Sequence, residues 1–172
     1  MTDYYPLLKP KEDLRVSVSN TTKPNMPESV EVYTDGSCLG NPGKGGWGAI
    51  IKWDDGESQV WGSSAHSTNN EMELTAIYNA CLELNKNSVK QATIYTDSNY
   101  AKRGITEWMP KWRTNGYKSS TNKPIKNMEI WKLLDEEQQK IDHIEWKHVK
   151  AHNGDVMNER VDKLARESAE NQ

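Results

Sequence analysis

The 172-residue chain has no apolar run approaching the roughly 20 residues that a bilayer-crossing helix needs, and no basic-then-apolar leader at its start. Mean hydropathy is low, at −0.93. The expectation is a soluble intracellular protein, cytoplasmic and without a membrane partner. Cysteine is scarce. Cys38 and Cys81 offer neither metal-type spacing nor enough bridges to staple a secreted fold, which favours two reduced thiols over a Cys38–Cys81 disulfide. Of the four histidines, three lie in the last third without clustered partners, which disfavours zinc. A net charge of only −3 argues against a protein that coats nucleic acid indiscriminately.

The charge is unevenly placed. Between Lys102 and Lys126 seven basic residues stand against Glu107 alone, a local charge of +6 that leaves −9 for the rest of the chain. A compact positive segment on an acidic body suits a polyanion held in one orientation. A solvated charged loop is the plainer alternative.

The length suits a single domain. Residues 1–29 carry prolines, scattered charges and no sustained periodicity, and read as a flexible tail with "RVSV" at most a transient strand. The folded unit is expected over residues 30–172. "VEVYTD", "GGWGAIIKW" and "ESQVWGSS" have strand composition, with "DDG" as a hairpin turn between the last two. A helix is predicted over residues 70–85, a strand at "ATIYTD", helical pattern around "NYAKRGITEW", and a helix at "NMEIWKLLDEEQQK" with Asn127 as its N-cap. "HIEWKHV" reads as the last strand and "DVMNERVDKLARESAE" as a closing helix. A hairpin first and βα alternation later imply a mixed α/β sheet flanked by helices.

Two of these strands end alike, in "YTDGS" and "YTDS". A helical crossover separates them, so they are expected to be parallel neighbours. Asp35 and Asp97 would then meet at the carboxyl ends of the strands, where open α/β sheets place ligands. Each is followed by turn-forming residues, Gly36-Ser37 and Ser98-Asn99.

On the helix between them, Glu73 shares a stripe with Ile77, Ala80 and Leu84, within about 40° at 100° per residue. Glu71 falls about 160° away, on the solvent face, as suits an acid near a helix start. A carboxylate on the core-facing line is costly unless neutralised, and a cation shared with Asp35 and Asp97 would neutralise it. In the closing helix Met157, Val161, Leu164, Ala165 and Ser168 form the expected core line, with Asp162 at its border. Four acids with few nitrogen or sulfur donors point to a hard cation, Mg²⁺ or Mn²⁺.

The blocks "YTDGSCLGNPGKGGWGAI", "TNNEMEL", "YTDSNYAKRGITEW", "NKPIKN" and "VKAHNGDVMNERVDKLA" resemble, in order, those of the type 1 ribonuclease H family, most of all its bacterial form. The resemblance covers about residues 30 to 170. It implies a mixed five-stranded sheet, three antiparallel strands then parallel ones, flanked by helices. It also implies an endoribonuclease that cleaves the RNA strand of an RNA–DNA hybrid, leaving 5′-phosphate and 3′-hydroxyl ends, as a monomer using two Mg²⁺ ions that Mn²⁺ can replace. By position it puts metal-binding acids at Asp35, Glu73, Asp97 and Asp162. It puts a catalytic-loop histidine at His152, with Ser98 and Asn158 in support. Cys38, Asn41, Asn69 and Asn70 resemble the minor-groove contacts, with Gly40, Gly43, Gly45 and Gly46 in a loop approaching sugar-phosphate. Thr68 and Asn127 resemble a DNA-phosphate pocket, and Trp108 the wall of the DNA channel. Asn99, Trp112 and Lys118 are the further candidates for nucleic-acid contact, Lys118 in the segment that resembles the basic protrusion. Three positions depart from the bacterial pattern: Glu71 is acidic where a basic residue is usual, Asn99 replaces a longer amide, and Ala151 replaces a glycine. A non-catalytic hybrid-binding module and a DNA-cutting nuclease of the same fold are the alternatives.

Overall fold

The computed structural model describes residues 17–20, 26–119, 121, 123–150 and 155–172. A short strand β1 (Ser17–Asn20) precedes β2 (Ser29–Leu39), β3 (Gly43–Trp53) and β4 (Gly56–Ser67), followed by α1 (Asn69–Lys86) and β5 (Gln91–Thr96). Then come α2 (Asn99–Arg103), a π-helical turn over Gly104–Trp108, α3 (Met109–Asn115), α4 (Met128–Gln139), β6 (His143–His148) and α5 (Val156–Glu170). The sheet order is β1-β4-β3-β2-β5-β6. β1 to β4 pair antiparallel, and β5 and β6 run parallel to β2. The five expected strands are thus present in the expected directions.

The sixth strand corrects the reading of the first 29 residues. Ser17–Asn20 pairs in register with β4, Ser17 opposite Trp61 and Asn20 opposite Ser58. The unpaired amides and carbonyls of a sheet edge are a template for such a segment, and here the chain covers its own edge.

Glycines set how closely the helices lie on the sheet. Side chains alternate between the faces of a strand, and the glycines of β2 and β3 follow suit. A β-carbon at Gly36 would lie 2.4 Å from Glu73 N, and one at Gly45 would lie 2.7 Å from Met72 Sδ, so both face α1. One at Gly46 would lie 2.3 Å from Ala165 O, and one at Gly48 2.8 Å from Leu164 Cγ, so both face α5. Gly45 and Gly46, expected in a loop, are strand residues; Gly45 approaches the side chains of Met72 and Ser67, and Gly46 the backbone of the protein's own α5. Under α1 and α4 the core holds Val32, Ile51, Ile94, Ile77, Leu84 and Trp131, all fully buried.

Residues 99–115 run as one helical segment, longer than predicted, so Lys111 and Arg113 lie on a helix. Gly104 lies under the Trp131 ring, where a β-carbon would sit 2.0 Å from it. Gly116 ends the segment in the left-handed region, φ +73°. Arg113 does not serve as a free cation. Its Nε donates to both carboxylate oxygens of Asp135 at 3.0 Å, and Tyr117 OH donates to Asp135 at 2.6 Å. Asn127 occupies the N-cap position of α4 but makes no capping bond; it is left-handed, φ 59°, and its amide donates to Tyr100 OH at 3.0 Å. On α5 the buried positions are Asn158, Val161, Ala165 and Ala169, so Met157, Leu164 and Ser168 of the expected line lie at its margin, half-buried.

Candidate active site

Asp35 does not end its strand. β2 continues to Leu39 against β3, and only the parallel ladder with β5 stops, at Tyr33 opposite Tyr95. Thr34 Oγ1 closes that ladder with a 3.2 Å bond to Tyr95 O. Beyond it the edge of β2 is open at Asp35, and Asp97 follows directly on β5. Gly36 has no side chain to hold α1 away, so Glu73 reaches the same point. One carboxylate oxygen from each of Asp35, Glu73 and Asp97 lies within 4.8 Å of the others.

The electrostatics of this group are unfavourable as it stands. Asp35 is buried and accepts from Gly36 N–H at 2.9 Å. Burial first, and then the Asp97 charge, push its carboxyl up to about 8, with Asp162 adding to the repulsion. Glu73 is raised well above the usual carboxylate range by burial and by the charges of Asp35 and Asp97. Its Oε1 is buried without a hydrogen-bond partner among the described residues. An orphaned carboxylate oxygen facing two more carboxylates fits an oxygen-ligated divalent cation, which would relieve burial and repulsion together.

Asp162 is close enough to influence Asp35, but it is not among the three that converge. Its Oδ2 accepts from Arg166 Nε at 3.1 Å, one turn on along α5. Asn158 is buried, its backbone N–H donating at 3.0 Å to Oδ1 of Asp155, the N-cap of α5. Ser98 caps α2 by accepting from Ala101 N–H at 3.0 Å, which fixes the chain immediately after Asp97. His152, with Ala151, lies outside the described residues.

The expected minor-groove residues assemble around one corner. Asn41 Oδ1 accepts from Asn69 N–H at 3.0 Å, joining the β2–β3 turn to the start of α1. Asn41, Asn69 and Asn70 are exposed there, and the Cys38 thiol lies 3.2 Å from Ser67 O. Gly40 turns the chain with φ +76°. Thr68 and Glu71 form a capping box, each side chain bonded to the other's backbone amide, at 3.2 and 3.1 Å. Glu71 is therefore not a solvent-facing acid. It is buried and also accepts from Ser67 Oγ at 2.8 Å, bonds that replace the water that the helical-wheel reading supplied.

On the other flank Trp108 and Trp112 are half-buried, their rings 6.1 Å apart and both packed on the buried Trp131. Asn99 and Lys118 are exposed, and Asn127 is buried. Three contributors escaped the sequence reading. Gly36 looks like a turn residue until α1 is in place, and His148, whose Nε2 is 3.2 Å from Asp97 O, has no local signal. Arg166 could have been found from its i, i+4 spacing to Asp162. Both cysteines are free thiols.

An open mixed α/β sheet with a three-carboxylate cluster where its parallel ladder ends offers an oxygen-donor site suited to a divalent cation. The RNase H family model matches residues 27–170. A Ribonuclease H of Wolbachia sp. subsp. Drosophila simulans is 50% identical over 141 residues, covering 82% of this chain and 95% of its own. One of Xanthomonas campestris pv. campestris is 50% identical over 142 residues, covering 83% and 93%. Among solved structures, LC9-RNase H1, a type 1 RNase H with the type 2 active-site motif, is similar with TM-score 0.76 and 30% identity over 88% of this chain and 76% of its own. The chain belongs to the RNase H family, hydrolases that cut the RNA strand of RNA–DNA hybrids.

Proposed function

We propose that Asp35, Glu73 and Asp97, joined by Asp162, hold two Mg²⁺ ions, replaceable by Mn²⁺, at the scissile phosphate of the RNA strand. The observation that carries this is the three-carboxylate group, with Glu73 Oε1 buried and without a hydrogen-bond partner among the described residues. Bound ions of this kind supply an activated water and stabilise the leaving oxygen, giving 5′-phosphate and 3′-hydroxyl ends. The protein's own part is to hold the acids rigidly. Gly36 N–H and the end of the β2–β5 ladder orient Asp35, Ser98 fixes the chain after Asp97, and α1 delivers Glu73. His152 serves as proton shuttle or aid to product release, and an unchanged pH–rate profile in His152→Ala would count against proton transfer.

The corner of Cys38, Asn41, Asn69 and Asn70 meets the minor groove, where amides and backbone groups read the 2′-hydroxyls that mark RNA. Thr68, Asn99, Trp108, Trp112, Lys118 and Asn127 line or support the course of the DNA strand. That a hybrid is the ligand is supported by the foamy viral protease-reverse transcriptase, solved in complex with RNA/DNA hybrid and similar at TM-score 0.74 and 27% identity over 88% of this chain and 22% of its own. We propose a monomer acting in the cytoplasm; among the described residues no helix is long and apolar enough to cross a membrane.

The test is a labelled hybrid assayed with and without EDTA, beside a DNA–DNA duplex. Metal-dependent cutting of the RNA strand, lost in Asp35→Asn while hybrid binding persists, is expected. Tight binding without product at any metal concentration would favour a binding module, and cutting of the duplex would favour a DNA nuclease.

A further inference from the structure

Tyr33, Tyr95 and Lys147 form one row across three strands, Tyr33 opposite Tyr95 and Tyr95 opposite Lys147. The two rings are stacked, with centroids 4.6 Å apart and planes 5° from parallel, and Lys147 Nζ stands 5.9 Å from the Tyr95 ring centre. Residues two apart on a strand share a face, so Tyr33 directly precedes Asp35 on the same face of β2, and Tyr95 lies two residues before Asp97. Both tyrosines are only half-buried, and Lys147 on the edge strand is exposed. Stacking covers one face of each ring, so the aromatic surface left to a ligand is the ring edges and the outer face of Tyr95, which the exposed Lys147 side chain shares and can vacate.

Its surroundings narrow what it can take. Tyr33 OH donates to Glu31 at 3.4 Å, Lys147 stands 4.0 Å from Glu145, and Asp155 is near enough to influence Tyr33. Those carboxylates disfavour a tract of phosphates, leaving ring surface and one partly engaged cation as the attraction. Such a surface suits a nucleobase, because every base has a π-face. A duplex keeps its bases stacked on one another; an unpaired strand has bases to offer.

The geometry points to a subsite in which Tyr33 and Tyr95, with Lys147 beside them, take an unpaired nucleotide of the RNA strand where it runs off the hybrid past the acids. This rests on the reading of those acids as the cleavage centre. It makes the protein prefer hybrids whose RNA extends beyond the paired region.

Fluorescence anisotropy in EDTA, where no turnover occurs, tests it with a blunt hybrid and with hybrids carrying a 3′-RNA, a 5′-RNA or a DNA extension. One of the RNA extensions is expected to tighten binding about fivefold, the low end of one base–aromatic stack. Tyr33→Ala/Tyr95→Ser should abolish that gain and Tyr95→Phe keep it, the gain being read in each protein as the ratio of its own affinities for the extended and the blunt hybrid. Should circular dichroism find the double variant unfolded, Tyr95→Ser alone carries the same expectation. No gain in the native protein, an equal gain from DNA, or a gain that survives loss of the rings overturns the subsite and leaves the tyrosines as a cross-strand pair. Failure of the native protein to cut the blunt hybrid when metal is restored would instead strike at the catalytic reading.

Discussion

The amide nitrogen of Glu73 packs against Gly36 so closely that a β-carbon there would lie 2.4 Å from it. This close approach sets the position of α1 along β2, and with it the distance from the Glu73 carboxylate to Asp35.

Gly36→Ala should therefore be worse for the site than for the fold. Overpacking of this kind costs about 1–3 kcal/mol, read as a lower urea midpoint. Divalent-ion affinity measured by calorimetry should fall further than that loss predicts, because the helix that must move carries a ligand.

The metal-free protein should lose stability as pH rises from about 4 to about 8. Burial and Asp97 raise the Asp35 carboxyl to about 8, whereas an unfolded aspartate titrates near 3.9. Over that window the native state binds the extra proton, so rising pH favours unfolding. Urea unfolding in EDTA at pH 5 and pH 8 measures the loss. Asp35→Asn should flatten it and raise the metal-free Tm, by about 2–4 °C for each kcal/mol of repulsion relieved. Added Mg²⁺ or Mn²⁺ should do the same for the native protein and nothing comparable for the variant.

Asp135 has the opposite sign. Burial works against its charge, but bonds from Arg113, Tyr117 and the neighbouring glutamines override that and hold it down to about 2. Its contribution is complete above the unfolded value near 4 and fades as pH falls through about 2. Asp135→Asn should cost about 1–3 kcal/mol at pH 7. Its unfolding midpoint should converge with that of the native protein as pH drops from 4 to 2.

Lys111 and Lys118 are exposed beside the tryptophan flank. Replacing both with Gln should weaken hybrid binding and reduce its salt slope by about one for each phosphate that is no longer neutralised. The same weakening should appear for hybrids of every sequence. An unchanged slope would mean that the hybrid runs elsewhere.

The chain's alternation of apolar residues and its turn signals were enough to place five strands and the main helices, because period and punctuation are local properties. Asp35, Asp97 and Glu73 were legible for the same reason: two sit where apolar runs stop, and the third interrupts an apolar stripe. Packing decided the rest. Glu71 looks solvent-facing on a helical wheel, yet Ser67 and Thr68 enclose it; Arg113 looks like part of a basic patch, yet Asp135 lies 22 residues on in sequence and beside it in space. Gly36 and Gly46 read as turn residues until helices are laid against them. Local sequence specifies each element's shape and exposed chemistry, whereas which groups lose water, and to whom, depends on surfaces brought together from distant parts of the chain. The acid cluster belongs to both: its members are visible one at a time, but the repulsion that calls for a cation exists only where three elements meet.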